Sequence, residues 1–209
     1  MIGILSIQGG FAKHQQMVHN LGFDTLHVKT PADLHRVDKL IIPGGESTTM
    51  RLLLQKHGLW DELKDFCATN QVFGTCAGAI LLSKTIQTDS GGNEESFGVI
   101  DITIARNSYG RQVDSFEATL NVKLKASIAN GSNNSLKQLE QPTFTTPTLS
   151  VPAIFIRAPQ IIETGSAVQI LATYNNMPVL VQQGSVLAAT FHPELTDDNT
   201  ICNYFLNDM

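Results

Sequence analysis

Basic residues are in short supply: 14 Lys and Arg stand against 19 Asp and Glu, a formal net charge of -5 at pH 7. Binding to nucleic acid needs a basic surface that displaces counterions, and no Lys/Arg cluster supplies one, so no nucleic-acid partner is expected. Long apolar runs are also missing. A membrane-spanning helix takes about 20 consecutive apolar residues, whereas the 42% hydrophobic content is broken into short runs, so no membrane span is expected. The opening MIGILSIQGG has no basic leader and passes straight into a strand pattern, which argues against a signal peptide. Cysteine is scarce and odd in number, at Cys67, Cys76 and Cys202. Without CxxC pairs these make neither a disulfide framework nor a zinc site, and a reducing, cytoplasmic compartment is expected. None of the six histidines falls in an HExxH-like spacing, so neither metal nor other cofactor is expected.

What is present fits one domain over 1–209, long enough to bury a large core. Through the first 85 residues short β-rich runs alternate with helical patterns, which is the signature of βαβ units and a parallel sheet. Strands are expected over 2–7, 25–28, 40–42 and 71–73. In FAKHQQMVHNLG, Phe11, Met17, Val18 and Leu21 share one helical face and Gly22 supplies a C-cap. Thr30-Pro31 makes an N-cap and first-position pair, and TTMRLLLQKHG a helix ending at Gly58. From about residue 98 strands dominate: VIDITIA, SFEATLNVKL, AIFIRA, AVQILATY, PVLVQQ and SVLAATF. These are expected to add antiparallel strands to the parallel core, with hairpin turns at YNNM and QGS. A helix should close the chain after Glu194. The stretch 126–150, rich in Ser, Thr, Asn and Pro, reads as a surface excursion.

Three segments carry chemistry. Gly74-Thr75-Cys76-Ala77-Gly78 is G-x-C-x-G, the thiol counterpart of the nucleophile elbow, placed where the strand QVF meets the helix AGAILLSK. Such a turn presents the thiol at a helix N-terminus, where the dipole favours thiolate, and the Ala77 N–H can face a developing oxyanion. The other two cysteines fall in helical patterns and read as small buried hydrophobes. Among the histidines, His14, His19, His35 and His57 lie on or beside polar helix faces and His27 on a short strand, so none of these is expected at a site. His192 differs. It ends an apolar strand in AATFHPEL, where Pro193 is expected to leave an extended chain that puts Glu194 on the same side. Cys76, His192 and Glu194 then form a nucleophile, a proton carrier and an orienting carboxylate. The glycine turn in LIIPGGESTTM should border Cys76 at the C-terminal ends of the strands and add a second oxyanion donor; it lacks the Lys-Ser/Thr of a phosphate loop.

IGILSIQG, LIIPGGESTTM, FGTCAGAILLSK, RNSYGRQVDSFEA, FIRAP and AATFHPEL resemble, in order, the blocks of class I glutamine amidotransferases, and within them the PdxT/SNO glutaminase subunits of pyridoxal 5'-phosphate synthase. The resemblance implies a flavodoxin-like three-layer α/β sandwich, with a mostly parallel central sheet and added antiparallel strands. It implies hydrolysis of L-glutamine through a cysteinyl thioester at Cys76, and ammonia passed to a barrel-shaped synthase subunit that builds vitamin B6. The family's glutamine contacts carry over to Gly45, Glu46, Ser47, Arg106, Ile156 and Arg157, and Gln8 resembles a position near the subunit interface. A free amino acid's carboxylate and ammonium call for such a cationic clamp and polar acceptors.

Two features depart from the family pattern: Lys13 stands where an acidic residue is usual, beside the region that meets the synthase in relatives, and 126–150 is longer than is typical. The isolated chain is expected to turn glutamine over slowly until its partner docks. Alternative readings are the glutaminase subunit of another amidotransferase, a DJ-1-like cysteine hydrolase, and an inactive binding module. The H-P-E segment disfavours the second.

Overall fold

The computed structural model describes residues 1–88, 94–106, 115–124 and 148–209. Five strands lie parallel in the order β2 (Thr25–Val28), β1 (Ile2–Leu5), β3 (Lys39–Ile42), β4 (Gln71–Thr75), β12 (Val186–Ala189). This is the 2-1-3-4-5 order of flavodoxin-like sheets. β11 (Met177–Gln183) and β10 (Gln169–Tyr174) extend it antiparallel beyond β12. The YNNM turn carries Asn175 and Asn176 at φ 49° and 65°, the positive values that a two-residue hairpin of this hand needs.

Parallel strands buried on both faces send alternate side chains to opposite cores. Leu40 and Ile42 of β3 and Val72 of β4 point into one core, with Met50 and Leu54 of α3 (Ser47–Lys56), Leu63 and Cys67 of α4 (Trp60–Thr69) and all of α5 (Ala77–Leu82) except Gly78. Ile41 and Phe73 point into the other, with Met17 and Val18 of α1 (Phe11–Asn20) and Ile201, Cys202 and Phe205 of α6 (Thr200–Asn207). The short α2 (Pro31–Leu34) starts with the expected Thr30-Pro31 pair, closed as a reciprocal capping box with Asp33.

Not every later strand joins the main sheet, contrary to expectation. β5 (Ser83–Gln87), β6 (Ile100–Ala105) and β9 (Gln160–Thr164) make a separate three-stranded sheet against the first core. β7 (Phe116–Lys123) and β8 (Thr148–Phe155) pair antiparallel over the second. The layers flanking the central sheet are therefore helix and strand together. Residues 148–150 belong to β8 rather than to a surface excursion; the rest of that stretch, 126–147, lies outside the described residues. Among the described residues, no helix is long and apolar enough to cross a membrane.

Candidate active site

At the end of β4 the chain turns at Cys76 into α5, and Cys76 takes φ 50°, ψ -105°, a region where an L side chain is strained. Its N–H donates to Ala189 O, 2.8 Å away at the end of β12. Gly78 explains one of the elbow's glycines: a Cβ there would overlap the backbone carbonyl of Ile42 on β3. Ala77 is the first residue of α5 and nearly fully buried, so its N–H belongs to those that a helix leaves without an internal acceptor. The thiols of Cys67 and Cys202 are sealed in the core, where burial pushes both up, the second to about 12.

Gly44 and Gly45 follow β3 and lie beside the elbow. A side chain at Gly44 would meet the His192 ring, with Cε1 only 2.5 Å from the position of its Cβ. The Gly44 carbonyl accepts from Gly10 N–H at 3.2 Å, and the Gln8 side chain accepts from Glu46 N–H at 3.0 Å. Gln8 thus anchors the glycine turn directly. Glu46 caps α3 by accepting from Thr48 and Thr49 N–H, and is paired with Arg106 at 3.1 Å. Desolvation opposes its charge, but the hydroxyl and N–H of Thr49, with Thr48, bring its carboxyl down to about 2. Arg106 also contacts Glu94 and Thr48 Oγ1.

His192 follows β12, its N–H held by Ile154 O of β8 at 2.8 Å. Its Nδ1 lies 2.8 Å from Glu194 Oε1, and the ring stands close enough to Cys76 for the sulfur to act on its charge. Glu194 gets there differently from the expected extended chain: Pro193–Leu195 is a 3-10 turn, which proline tolerates at its first position. Burial alone would lower the His192 imidazole, but Cys76 and then Glu194 outweigh it and raise the ring to about 10. Burial likewise works to raise Glu194, yet His14 and His192 hold it below the usual carboxylate range.

His14 was expected on a polar face and is instead fully buried. Its Nε2 sits 3.1 Å from Thr75 Oγ1 and 3.3 Å from Glu194 Oε2. The pattern contained a signal for this: residues 14, 17, 18 and 21 repeat at i, i+3, i+4 and i+7, a core-facing stripe. His19, His35 and His57 are exposed, as expected.

Of the residues expected at the site, Gln8, Gly45, Glu46, Ser47, Cys76, Arg106, Ile156, Arg157 and His192 line one cleft of about 310 Å³. Glu194 and Ala77 are buried beside it. Arg157 contributes from a left-handed backbone position, φ 43°. Residues 107–114, the remainder of the RNSYGRQVDSF block, lie outside the described residues. A larger groove of about 800 Å³ beside β7 and residues 195–198 contains neither Cys nor His. Among the described residues, no group of three or more His, Cys, Asp or Glu is placed to hold a metal. The cleft brings a sulfur, an imidazole cation and a carboxylate together, the last two hydrogen-bonded to each other, which suits nucleophilic attack on a carbonyl followed by proton delivery to its leaving group.

The SNO glutamine amidotransferase family model matches residues 4–209. The chain belongs to that family. It is 43% identical over 206 residues to the pyridoxal 5'-phosphate synthase subunit PdxT of Francisella philomiragia, covering 99% of this chain and 97% of the relative. PdxT of Francisella tularensis subsp. tularensis is 42% identical over 205 residues, covering 98% and 97%. A crystal structure of a glutamine amidotransferase superposes with a TM-score of 0.80 at 37% identity, over 98% of this chain and 96% of the other. PurLQS from Thermotoga maritima, at 15% identity and a TM-score of 0.66 over 99% and 96%, shares the fold.

Proposed function

We propose that this chain is the glutaminase subunit of a pyridoxal 5'-phosphate synthase, one amidotransferase domain over 1–209 that works in the cytoplasm. The observation that carries the reading is the Cys76–His192–Glu194 line opening into a cleft shared with Arg106. PdxT relatives at 42–43% identity support the biosynthetic branch, and three unpaired cysteines fit a reducing compartment.

The Cys76 sulfur attacks the side-chain carbonyl carbon of L-glutamine. The Ala77 N–H and the Gly44-Gly45 turn receive the oxyanion. Imidazolium His192 gives its proton to the departing nitrogen, ammonia leaves, and a γ-glutamyl thioester remains. Neutral His192 then takes a proton from water, whose oxygen attacks the thioester carbon; glutamate leaves and the thiolate–imidazolium pair is restored. Glu194 keeps the ring oriented and supports its charge throughout. Arg106, paired here with Glu46 and Glu94, receives the substrate α-carboxylate, with Gly45, Ser47, Ile156 and Arg157 around it and Glu46 facing the α-ammonium. Ammonia passes to a barrel-shaped synthase subunit, whose docking acts on the Gln8-anchored glycine turn.

Glutamate release measured with the synthase subunit present tests this directly. Cys76→Ala should abolish it, His192→Asn should reduce it by orders of magnitude, and pyridoxal phosphate should form only when both subunits, glutamine and sugar phosphates are supplied. Glutamate release undiminished in Cys76→Ala would overturn the reading. Release without any cofactor formed would assign the ammonia to another acceptor.

A further inference from the structure

A buried carboxylate has two oxygens to satisfy, and an oxygen left bare inside a protein is expensive. In Glu194, Oε1 is engaged by His192, whereas Oε2 is buried and, among the described residues, has no well-aligned hydrogen bond; the His14 Nε2 stands 3.3 Å from it. His14 comes from α1, on a different layer from the elbow, and its side chain is wholly enclosed. Its ring meets that of Phe73 in a T-shaped contact, and the same Nε2 lies 3.1 Å from the hydroxyl of Thr75, the residue that precedes Cys76. One imidazole thereby connects the strand bearing the sulfur to the carboxylate behind His192.

We infer that His14 is a positioning residue of the glutaminase site, a neutral imidazole whose Nε2–H, shared between Thr75 Oγ1 and Glu194 Oε2, holds the Glu194 carboxylate so that its other oxygen meets His192. The inference rests on the glutaminase reading above and goes beyond its three-residue machinery. Burial lowers His14 below the ordinary histidine value; the Glu194 charge works to raise it, and His192 to lower it again. At neutral pH it is therefore uncharged, and its proton belongs on Nε2, because a ring nitrogen without one would turn a lone pair toward a carboxylate oxygen. The titratable groups facing Glu194 are His14 from α1 and His192 from its own turn, with Cys76 beyond the His192 ring.

Three substitutions separate positioning from mere packing. His14→Phe keeps the ring and loses the donor. His14→Gln carries an amide N–H near the Nε2 position, and His14→Asn has the same amide chemistry on a side chain too short to reach Oε2. With the synthase subunit present, Phe and Asn should lower kcat by roughly tenfold to a hundredfold with the glutamine KM little changed, while Gln retains most of the rate. Glu194 is a carboxylate above its folded value and loses its charge as pH falls through it. Without its donor that value rises, so the acid limb of kcat/KM should move to higher pH in Phe and Asn but not in Gln. If Phe fails to fold, the comparison of Asn with Gln carries the test. Wild-type rates with an unmoved acid limb in Phe or Asn would overturn the assignment, and so would equal losses in Asn and Gln with no movement of that limb. Cys76→Ala is the reference: wild type no faster than this variant would sink the glutaminase reading itself, whereas active wild type with unaffected His14 variants removes the His14 assignment alone.

Discussion

An imidazole as enclosed as that of His192 would ordinarily shed its proton, because burial disfavours the charged form. Here a sulfur on one side and a carboxylate on the other reverse that preference and bring the ring to about 10. The cation is fully present below the ordinary histidine range and is lost only as pH rises through about 10. The alkaline limb of kcat/KM for glutamine should therefore lie well above neutrality. Glu194→Gln removes a charge that holds the limb there, so it should move the limb to lower pH and reduce kcat on the order of a thousandfold or more, as loss of an orienting acid does in comparable triads. A pH–rate series on both proteins checks this; coincident alkaline limbs would show that Glu194 does not set the ring's charge. At this scale the grouping of Cys76, His192 and Glu194 was legible because each sits in a short motif, although the 3-10 turn that delivers Glu194 was not. His14 was not, since a lone histidine in a helix carries no such motif, and only its place in the stripe with Met17, Val18 and Leu21 betrays burial. Nor does any local pattern pair Glu94 with Arg106, which contact across a gap in sequence.

Elements hold these side chains through close backbone approach. α5 packs against β3 so tightly that a single methyl at Gly78 would meet the Ile42 carbonyl, and backbone has little room to yield. Gly78→Ala should destabilise the fold by about 1–3 kcal/mol and displace the elbow with it. Thr30→Ala, which only opens the α2 capping box, should cost about 1 kcal/mol and leave glutamate release unchanged. Urea titrations with unchanged slopes would rank the two. Helices α1 and α3 and strands β1 to β4 were readable to within a few residues, the helices because their apolar periodicity agrees with the closing Gly22 and Gly58, both at positive φ. β5 was not. No Gly or Pro separates the apolar run of α5 from Ser83-Lys84, so the pattern reads as more helix, whereas Ser83 in fact leaves helical geometry at φ -60°, ψ 157°. β9, with QIIET, was not either: only Ile161 of its five residues is buried, so it carries no alternating apolar pattern.

At the scale of the whole molecule, the site exists because five parallel strands end on one edge. β3 delivers the glycine turn, β4 the sulfur, and β12, which pairs with β4, brings His192 back beside it from far along the chain. Lys39 on β3 reinforces this frame by donating to Phe205 O and Leu206 O near the C-terminal end of α6. The parallel half of this arrangement follows from alternating strand and helix signals, since such connections allow few topologies. The assignment of later strands to three separate ladders does not, because which distant strand each one pairs with is decided by packing rather than by its own residues. On the proposed function, this convergence makes Cys76 the nucleophile toward glutamine. Rapid acid quench of the wild-type enzyme during turnover with the synthase subunit, followed by peptide mass spectrometry, tests it. A mass gain of one γ-glutamyl group on the peptide containing Cys76, dependent on glutamine and absent from the Cys67 and Cys202 peptides, is the predicted result. Glutamate formed at the normal rate with Cys76 unmodified at every quench time would contradict it.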